Sequence, residues 1–271
     1  MLTDLNGASA DYTRTHLKTI FNPPISEIHK VSGRRLVFVH VGKCAGGSLI
    51  LSLNAALDSS FTMFEMHCHN ANQLIRELVT NGPDDLIFLI LSRDPIDRFV
   101  SAFNWDKHNM YLSQKTPGSV VAKWYEEFPT VEILARALTD TDSVKAERAL
   151  KFSRFGHMGM GQSWYAPLDL IDKIPADRTF LCETETFSTD LHNIVWSLDD
   201  KQIGNYVRSF HHKGDFTAGY ENADHLFDKN LSPEGKRNLR VLLNEDFLAL
   251  HQLHVMFRRQ PSPEHFFRTG R

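Results

Sequence analysis

Apolar residues cluster along the chain in short runs that predict strands. Residues 35–41, 61–66, 86–91 and 179–182 are rich in β-branched, aromatic or aliphatic side chains and end at polar or glycine positions. The run 86–91 is continuously apolar, which is typical of a parallel strand covered on both faces. Four such runs predict a largely buried sheet.

Helical periodicity fills the segments between these runs. Residues 48–57 and 74–79 place apolar side chains three or four positions apart, with Asn70 or Asn72 as the expected cap of the second helix. Strands that alternate with helices in this way predict a parallel sheet.

More helices are predicted further along the chain. Asp94 followed by Pro95 is typical of a helix start, and residues 116–150 are mainly helical in pattern. Ser188 or Thr189 is expected to cap another helix after the last strand.

These elements predict one α/β domain, a P-loop-like parallel sheet flanked by helices. Residues 1–33 are a polar lead-in segment, 34–257 the domain and 258–271 a tail. The last helix begins at Ser232, and the polar residues 209–230 before it have no clear period. A long loop of this kind is usually functional.

Composition and charge narrow the function classes. The 271 residues carry a formal net charge of -3, so the chain as a whole gives no electrostatic reason to expect a nucleic-acid partner. The longest apolar run has six residues, which predicts no membrane span. The N-terminus lacks a signal-peptide pattern, so we expect a cytoplasmic protein, and the oligomeric state stays open.

Cysteine and histidine spacing indicates no metal site. The three cysteines are scattered without a Cys-x-x-Cys pair. His67 and His69 stand close together, but no third and fourth ligand follow at a recognisable spacing. We therefore predict that no metal is bound.

A glycine-rich turn joins the first predicted strand to its helix at residues 42–48, GKCAGGS. Small residues here let successive backbone N–H groups point into one concavity in front of a helix N-terminus, which is how proteins hold phosphates. The lysine precedes the paired glycines, so the turn is not the Walker pattern of ordinary ATPases and kinases.

A second anion-binding feature follows the most apolar strand. Arg93 leaves the end of that strand, where α/β proteins bind ligands, and Ser101 lies two helical turns further on. A guanidinium and a hydroxyl so placed could bind one phosphate, although Arg93 could instead pair with Asp94 or Asp97 on the surface.

The two motifs together resemble a known family. Residues 43–49, KCAGGSL, resemble the Pro-Lys-Thr-Gly-Gly-Thr-Ser loop of the sulfotransferases that use 3′-phosphoadenosine 5′-phosphosulfate (PAPS), and residues 93–103 resemble their Arg-Asn/Asp-Pro…Arg…Ser-Ala-Tyr block. The resemblance covers about residues 35–255 and is closest to carbohydrate O-sulfotransferases, including the heparan sulfate 2-O and 6-O enzymes. Proline and threonine are usual in that family where this chain has Gly42 and Cys44.

The resemblance implies a sulfotransferase fold and a division of roles. Arg93 and Ser101 would hold the 3′-phosphate of PAPS, Lys43 would neutralise the departing phosphate, and 3′-phosphoadenosine 5′-phosphate (PAP) would be released without any metal. Lys213 falls where these sulfotransferases carry a polar loop that closes over the nucleotide, so it would contact a phosphate, with a solvated loop lysine as the alternative. The 5′-phosphosulfate would lie on the loop made by Gly42, Lys43, Cys44, Ala45, Gly46, Gly47 and Ser48.

The same resemblance supplies a base and an acceptor site. Residues 69–74 fit the His-x-x-Ala-x-x-Leu pattern of related sulfotransferases, so His69 is expected to be the catalytic base, with His67 as the other candidate near the substrate. Trp164 or Tyr165, in a flexible loop at 157–165, could stack on a sugar ring, although core packing is the favoured interpretation of both aromatics.

The expected activity is therefore transfer of a sulfuryl group from PAPS to an acceptor hydroxyl on a carbohydrate or glycolipid. Two alternatives remain: a nucleotide kinase on a P-loop-like core, which would depend on Mg²⁺, and a catalytically silent glycan- or nucleotide-binding module. The sequence does not identify the acceptor, because residues 105–165 and 209–230 carry no transferable signature.

Overall fold

The fold is built on one five-stranded parallel sheet. The computed structural model describes residues 17–113, 118–198 and 216–258. The strand order across the sheet is β1, β3, β2, β4, β5, and every neighbouring pair is parallel. The strands are β1 (Lys18–Phe21), β2 (Arg34–Val39), β3 (Phe61–Met66), β4 (Ile87–Ser92) and β5 (Thr179–Glu183).

Helices cover the sheet and extend beyond it. The predicted α/β class, with a parallel sheet flanked by helices in one domain, is confirmed. In the described residues the α-helices are α1 (Ile25–Ile28), α2 (Gly46–Ala56), α3 (Ala71–Asn81), α4 (Pro95–Asp106), α5 (Val120–Glu127), α6 (Val131–Ala137), α7 (Ser143–Ser153), α8 (Gly156–Gly159), α9 (Gln162–Tyr165), α10 (Leu168–Ile171), α11 (Phe187–Leu198), α12 (Ala223–Leu226), α13 (Pro233–Leu242) and α14 (Asn244–Phe257). A π-helical stretch, Lys107–Leu112, continues α4.

The central strands are buried as their composition predicts. All six residues of β4 are buried, since β2 and β5 pair with it on either side and helices cover its faces. The chain passes from β2 outward to β3 and then back to β4 on the opposite side of β2. This reversal opens a crevice at the carboxyl ends of the strands, where α/β proteins bind ligands.

The edge strand β1 was not predicted from the sequence. It lies within the polar segment 1–33 and pairs with β3, with Lys18 opposite Thr62. Most of its residues are exposed, so it lacks the apolar pattern of a central strand. The following Asn22 brings β1 to the site, because its side-chain amide bonds both the backbone N–H and the carbonyl of His67 at 2.9 and 2.8 Å.

Two helix predictions differ from the structure. Helix α11 begins at Phe187, so Ser188 and Thr189 lie inside it and do not cap it. The single predicted C-terminal helix is two helices, α13 and α14, because Leu243 leaves the helical conformation at φ -96° and ψ 19°. The turn lets α14 pack along α9 and α10.

Beyond the sheet, a second hydrophobic cluster joins α4 to the helical middle of the chain. Aromatic rings dominate it, with Phe103 and Phe152 each packed against Tyr125. The Tyr125 hydroxyl donates to the Phe103 carbonyl at 3.1 Å. None of the helices in the described ranges has the length and apolar character needed to span a membrane.

The start of α4 offers a test of the fold. The Asp94 carboxylate accepts hydrogen bonds from the backbone N–H groups of Ile96 and Asp97 at 2.9 and 3.0 Å, with Pro95 at the first helical position. We expect Asp94→Ala to lower the free energy of unfolding by about 1 kcal/mol, since both amides lose an acceptor. Denaturant unfolding measures this, and Asp94→Asn, which keeps the acceptor, is the control. An equal loss in both variants would contradict the capping role.

Candidate functional site

The carboxyl ends of β2, β3 and β4 surround a cavity of about 720 Å³. Three cations and two carboxylates line it: Lys43, Arg93 and Lys229 against Glu65 and Asp97. It also brings together most of the residues predicted from the sequence, namely Gly42, Lys43, Ala45, Gly46, Gly47, Ser48, His67, Arg93 and Ser101. The two motifs that the sequence predicts to bind anions, which lie about 50 residues apart, therefore line one cavity.

The glycine loop forms the floor of the cavity. Lys43 and Ala45 both have left-handed backbones, with φ of 69° and 65°, and α2 starts directly after them. Alternating left-handed residues turn successive N–H groups to the same side, and the positive end of α2 lies behind them. The loop thus has the backbone geometry of an anion cradle.

Gly46 is required by the close approach of a histidine. A Cβ at this position would lie 1.8 Å from Nε2 of His40, so only glycine fits. The His40 ring therefore packs directly against the first turn of α2.

Lys43 and Arg93 each contact the part of the chain that carries the other. The Lys43 ammonium lies 3.9 Å from the centroid of the Trp105 ring, a cation–π contact with the wall of the cavity. Arg93 donates to the Lys43 carbonyl at 3.1 Å. Arg93 thus joins the end of β4 to the glycine loop, and Ser101 on α4 lines the same cavity.

Cys44 does not line the cavity. Its side chain is fully buried, and its thiol lies 3.8 Å from the Gly42 carbonyl. Burial raises the pKa of this thiol to about 12. Any contact of Cys44 with a ligand would come from its backbone.

Of the two predicted histidines, the structure brings only His67 to the cavity. Its Nδ1 lies 2.8 Å from the His40 carbonyl, and because a carbonyl can only accept, the neutral form of the ring carries its proton on Nδ1 and its lone pair on Nε2. His69 has a left-handed backbone with φ of 47°, is exposed and does not line the cavity.

His40 and Glu65 are cavity residues that sequence reasoning missed. Glu65 accepts from His40 Nδ1 at 2.6 Å, and the His40 ring stacks on His67 with centroids 4.0 Å apart. His40 directly follows β2, and Glu65 is the half-buried residue of β3. A polar residue at the end of an apolar strand was the available signal for both.

The predicted aromatic loop is two short helices, α8 and α9, and neither of its aromatics lines the cavity. Tyr165 is fully buried; its hydroxyl accepts from the Cys68 backbone N–H at 3.1 Å and lies 3.2 Å from His67 Nδ1. Trp164 lines a separate cavity of about 330 Å³ beside Arg76. Lys213 lies outside the described residues.

A second histidine–carboxylate pair reaches the cavity from α8. His157 Nδ1 lies 2.5 Å from an oxygen of Asp106, which is fully buried, and the other oxygen accepts from the His157 backbone at 2.8 Å. His157 Nε2 lies 4.0 Å from the thiol of Cys68.

The Asp106 and Cys68 contacts set the protonation of this pair. Burial alone would lower the pKa of His157, but hydrogen bonds to Asp106 and Cys68 raise it to about 9. Burial would raise the pKa of Cys68, but hydrogen bonds to His157 and His67 lower it to about 6. Sequence reasoning missed His157 because it lies 89 residues from Cys68.

Comparison with protein-family models, with curated proteins and with solved structures finds no significant match to this chain. The site must therefore be interpreted from its own geometry.

The packing of Gly46 against His40 is testable. We expect Gly46→Ala to lower the free energy of unfolding by about 1–3 kcal/mol, because the added methyl group overlaps the imidazole. In a double-mutant cycle with His40→Ala, the double variant should lose less than the sum of the single losses, because the methyl group then has room. Additive losses in denaturant unfolding would contradict the contact.

Proposed function

We propose that this protein transfers the sulfuryl group of PAPS to a hydroxyl group of an acceptor, and that the acceptor is a carbohydrate or glycolipid. One observation carries the proposal: a single cavity joins the glycine loop, Lys43, Arg93 and Ser101 to a histidine with an available lone pair. The chain contains no Gly-Lys-Ser/Thr sequence, which disfavours a Mg²⁺-dependent kinase.

The glycine loop and Arg93 account for binding of the donor. The N–H groups in front of α2 would donate hydrogen bonds to the 5′-phosphosulfate, and the end of β4 would hold the 3′-phosphate through Arg93 and Ser101. Because Arg93 also bonds the Lys43 carbonyl, a nucleotide on Arg93 would fix the loop that binds its other end.

Sulfuryl transfer needs an acceptor oxygen in line with the bond that breaks. The acceptor oxygen bonds to sulfur, the bond from sulfur to the bridging oxygen breaks, and the electron pair leaves with PAP. Lys43 would neutralise the charge that develops on that phosphate. Its ammonium already lies at the cavity wall, on the Trp105 ring.

The acceptor hydroxyl must lose a proton as it attacks. We assign this base to His67 in place of His69, because His67 lines the cavity with its lone pair on Nε2 while His69 lies outside. The amide of Asn22 and the stacked ring of His40 hold His67 in position. Glu65 fixes His40 in turn.

Nucleotide binding tests the first half of the proposal. We expect PAP to bind in calorimetry without Mg²⁺, and Arg93→Ala to weaken binding roughly 10- to 100-fold, as loss of charge-assisted hydrogen bonds predicts. Arg76→Ala is the matched control, since Arg76 is exposed, pairs with Asp169 and does not line this cavity. Tighter binding of ATP with Mg²⁺ than of PAP would favour the kinase alternative and overturn the proposal.

A pair of histidine variants tests the base. With labelled PAPS and a panel of glycans and glycolipids, His67→Ala should lower kcat by at least about 100-fold and leave the Kd for PAP within about twofold, as removal of a general base predicts. His69→Ala should keep both values near those of the unaltered chain. A loss of kcat in His69→Ala with kcat retained in His67→Ala would assign the base to His69 instead. PAP binding without transfer to any acceptor would favour the silent binding module.

A further inference from the structure

Three potential metal ligands meet at the wall of the cavity. Among the described residues, one nitrogen each of His67 and His157 and the thiol of Cys68 lie within 4.8 Å of one another. The sequence argument against a metal required further ligands at a recognisable spacing. The fold supplies a third ligand, His157, which is 89 residues from Cys68 in the sequence. It reaches Cys68 because α8 packs against α4.

His157 is oriented as histidine ligands usually are. Its Nδ1 is engaged by Asp106, so the nitrogen that faces Cys68 is Nε2, which lies 4.0 Å from the thiol. Asp106 is fully buried and places both oxygens on His157. A carboxylate behind a histidine fixes the tautomer and strengthens the ligand. Asp106 approaches this closely because Gly156 has no Cβ, which would lie 2.5 Å from it.

The other two ligands are also held from behind. Asn22 bonds the backbone of His67 on both sides, and the His40 carbonyl accepts from its ring. The backbone N–H of Cys68 donates to the hydroxyl of Tyr165, which is itself buried. Ligand residues whose backbone is fixed in this way lose less freedom when they bind an ion.

We propose that Cys68, His67 and His157 form a binding site for a divalent transition metal of the zinc class. A thiolate and two imidazoles are the ligands that zinc and cobalt prefer, whereas magnesium and calcium prefer oxygen. Three protein ligands leave a fourth position. Because His67 and His157 both line the cavity, an ion here lies at its wall.

The ion controls the proposed transfer by occupying the base, a consequence that rests on the proposed function. Metal bound to Nε2 of His67 takes the lone pair that would accept the acceptor proton. Metal bound to Nδ1 forces the proton onto Nε2, with the same result. The zinc-bound chain is therefore inactive in sulfuryl transfer, and a chelator restores activity.

Cobalt titration tests the site without any activity assay. We expect the chelator-treated protein to bind one Co²⁺ and to develop the near-ultraviolet charge-transfer absorption of a cobalt–thiolate bond, which Zn²⁺ then abolishes by displacement. Cys68→Ser should lose this absorption. Cys182→Ala is the matched control, because Cys182 is a fully buried thiol of β5 outside the cluster, and it should keep the absorption.

The positioning role of Asp106 is measured in the same titration. Asp106→Asn should weaken Co²⁺ binding by roughly 10- to 100-fold, the usual effect of removing the carboxylate behind a histidine ligand. Because Asp106 is buried and its variant could fail to fold, His157→Gln is the second variant, with circular dichroism as the folding check. Binding that survives in Cys68→Ser, or that His157→Gln leaves unchanged, would overturn the site.

The Co²⁺ titration tests the metal site independently of the proposed sulfuryl transfer. A cobalt–thiolate band in a protein whose chelator-treated form transfers no sulfuryl group would leave the metal site standing and overturn the sulfotransferase proposal. Sulfuryl transfer without the band would do the opposite.

Discussion

The site depends on one constraint, which is that β2 lies between β3 and β4 with all three strands parallel. Parallel pairing places the carboxyl ends of the strands along one edge, and the reversal of strand order at β2 separates the segments that follow β3 and β4. The glycine loop, His67 and Arg93 follow these three strands in turn. Their meeting in one cavity is a result of strand order.

Once the strands are in place, buried acids organise the histidines. Glu65 holds the Nδ1 atom of His40, and Asp106 holds the Nδ1 atom of His157, so the orientation of each ring is fixed. Carboxylates in these positions are stabilised by the hydrogen bonds that they accept, and they fix ring orientation at the same time. The cavity is therefore preorganised in its side chains as well as in its glycine loop.

This arrangement gives His67 two chemical uses that exclude each other. The lone pair of an imidazole can accept a proton or bind a metal ion, and it cannot do both at once. The contacts of Lys43 and Arg93 do not involve His67. Lys43 packs on Trp105, and Arg93 donates a hydrogen bond to the glycine loop. In the two proposals, anion binding and control of the proton acceptor thus belong to different walls of one cavity.

The four strands β2 to β5, most of the helices and the placement of the glycine loop and Arg93 at strand ends could be predicted from the sequence, because these depend on local periodicity and on residues within one turn of a strand end. The choice between His67 and His69 could not be, because a left-handed backbone at Cys68 and His69 decides which ring reaches the cavity. The contact between Cys68 and His157 could not be predicted from the sequence either. It depends on packing between segments 89 residues apart, and only the tertiary structure creates that contact.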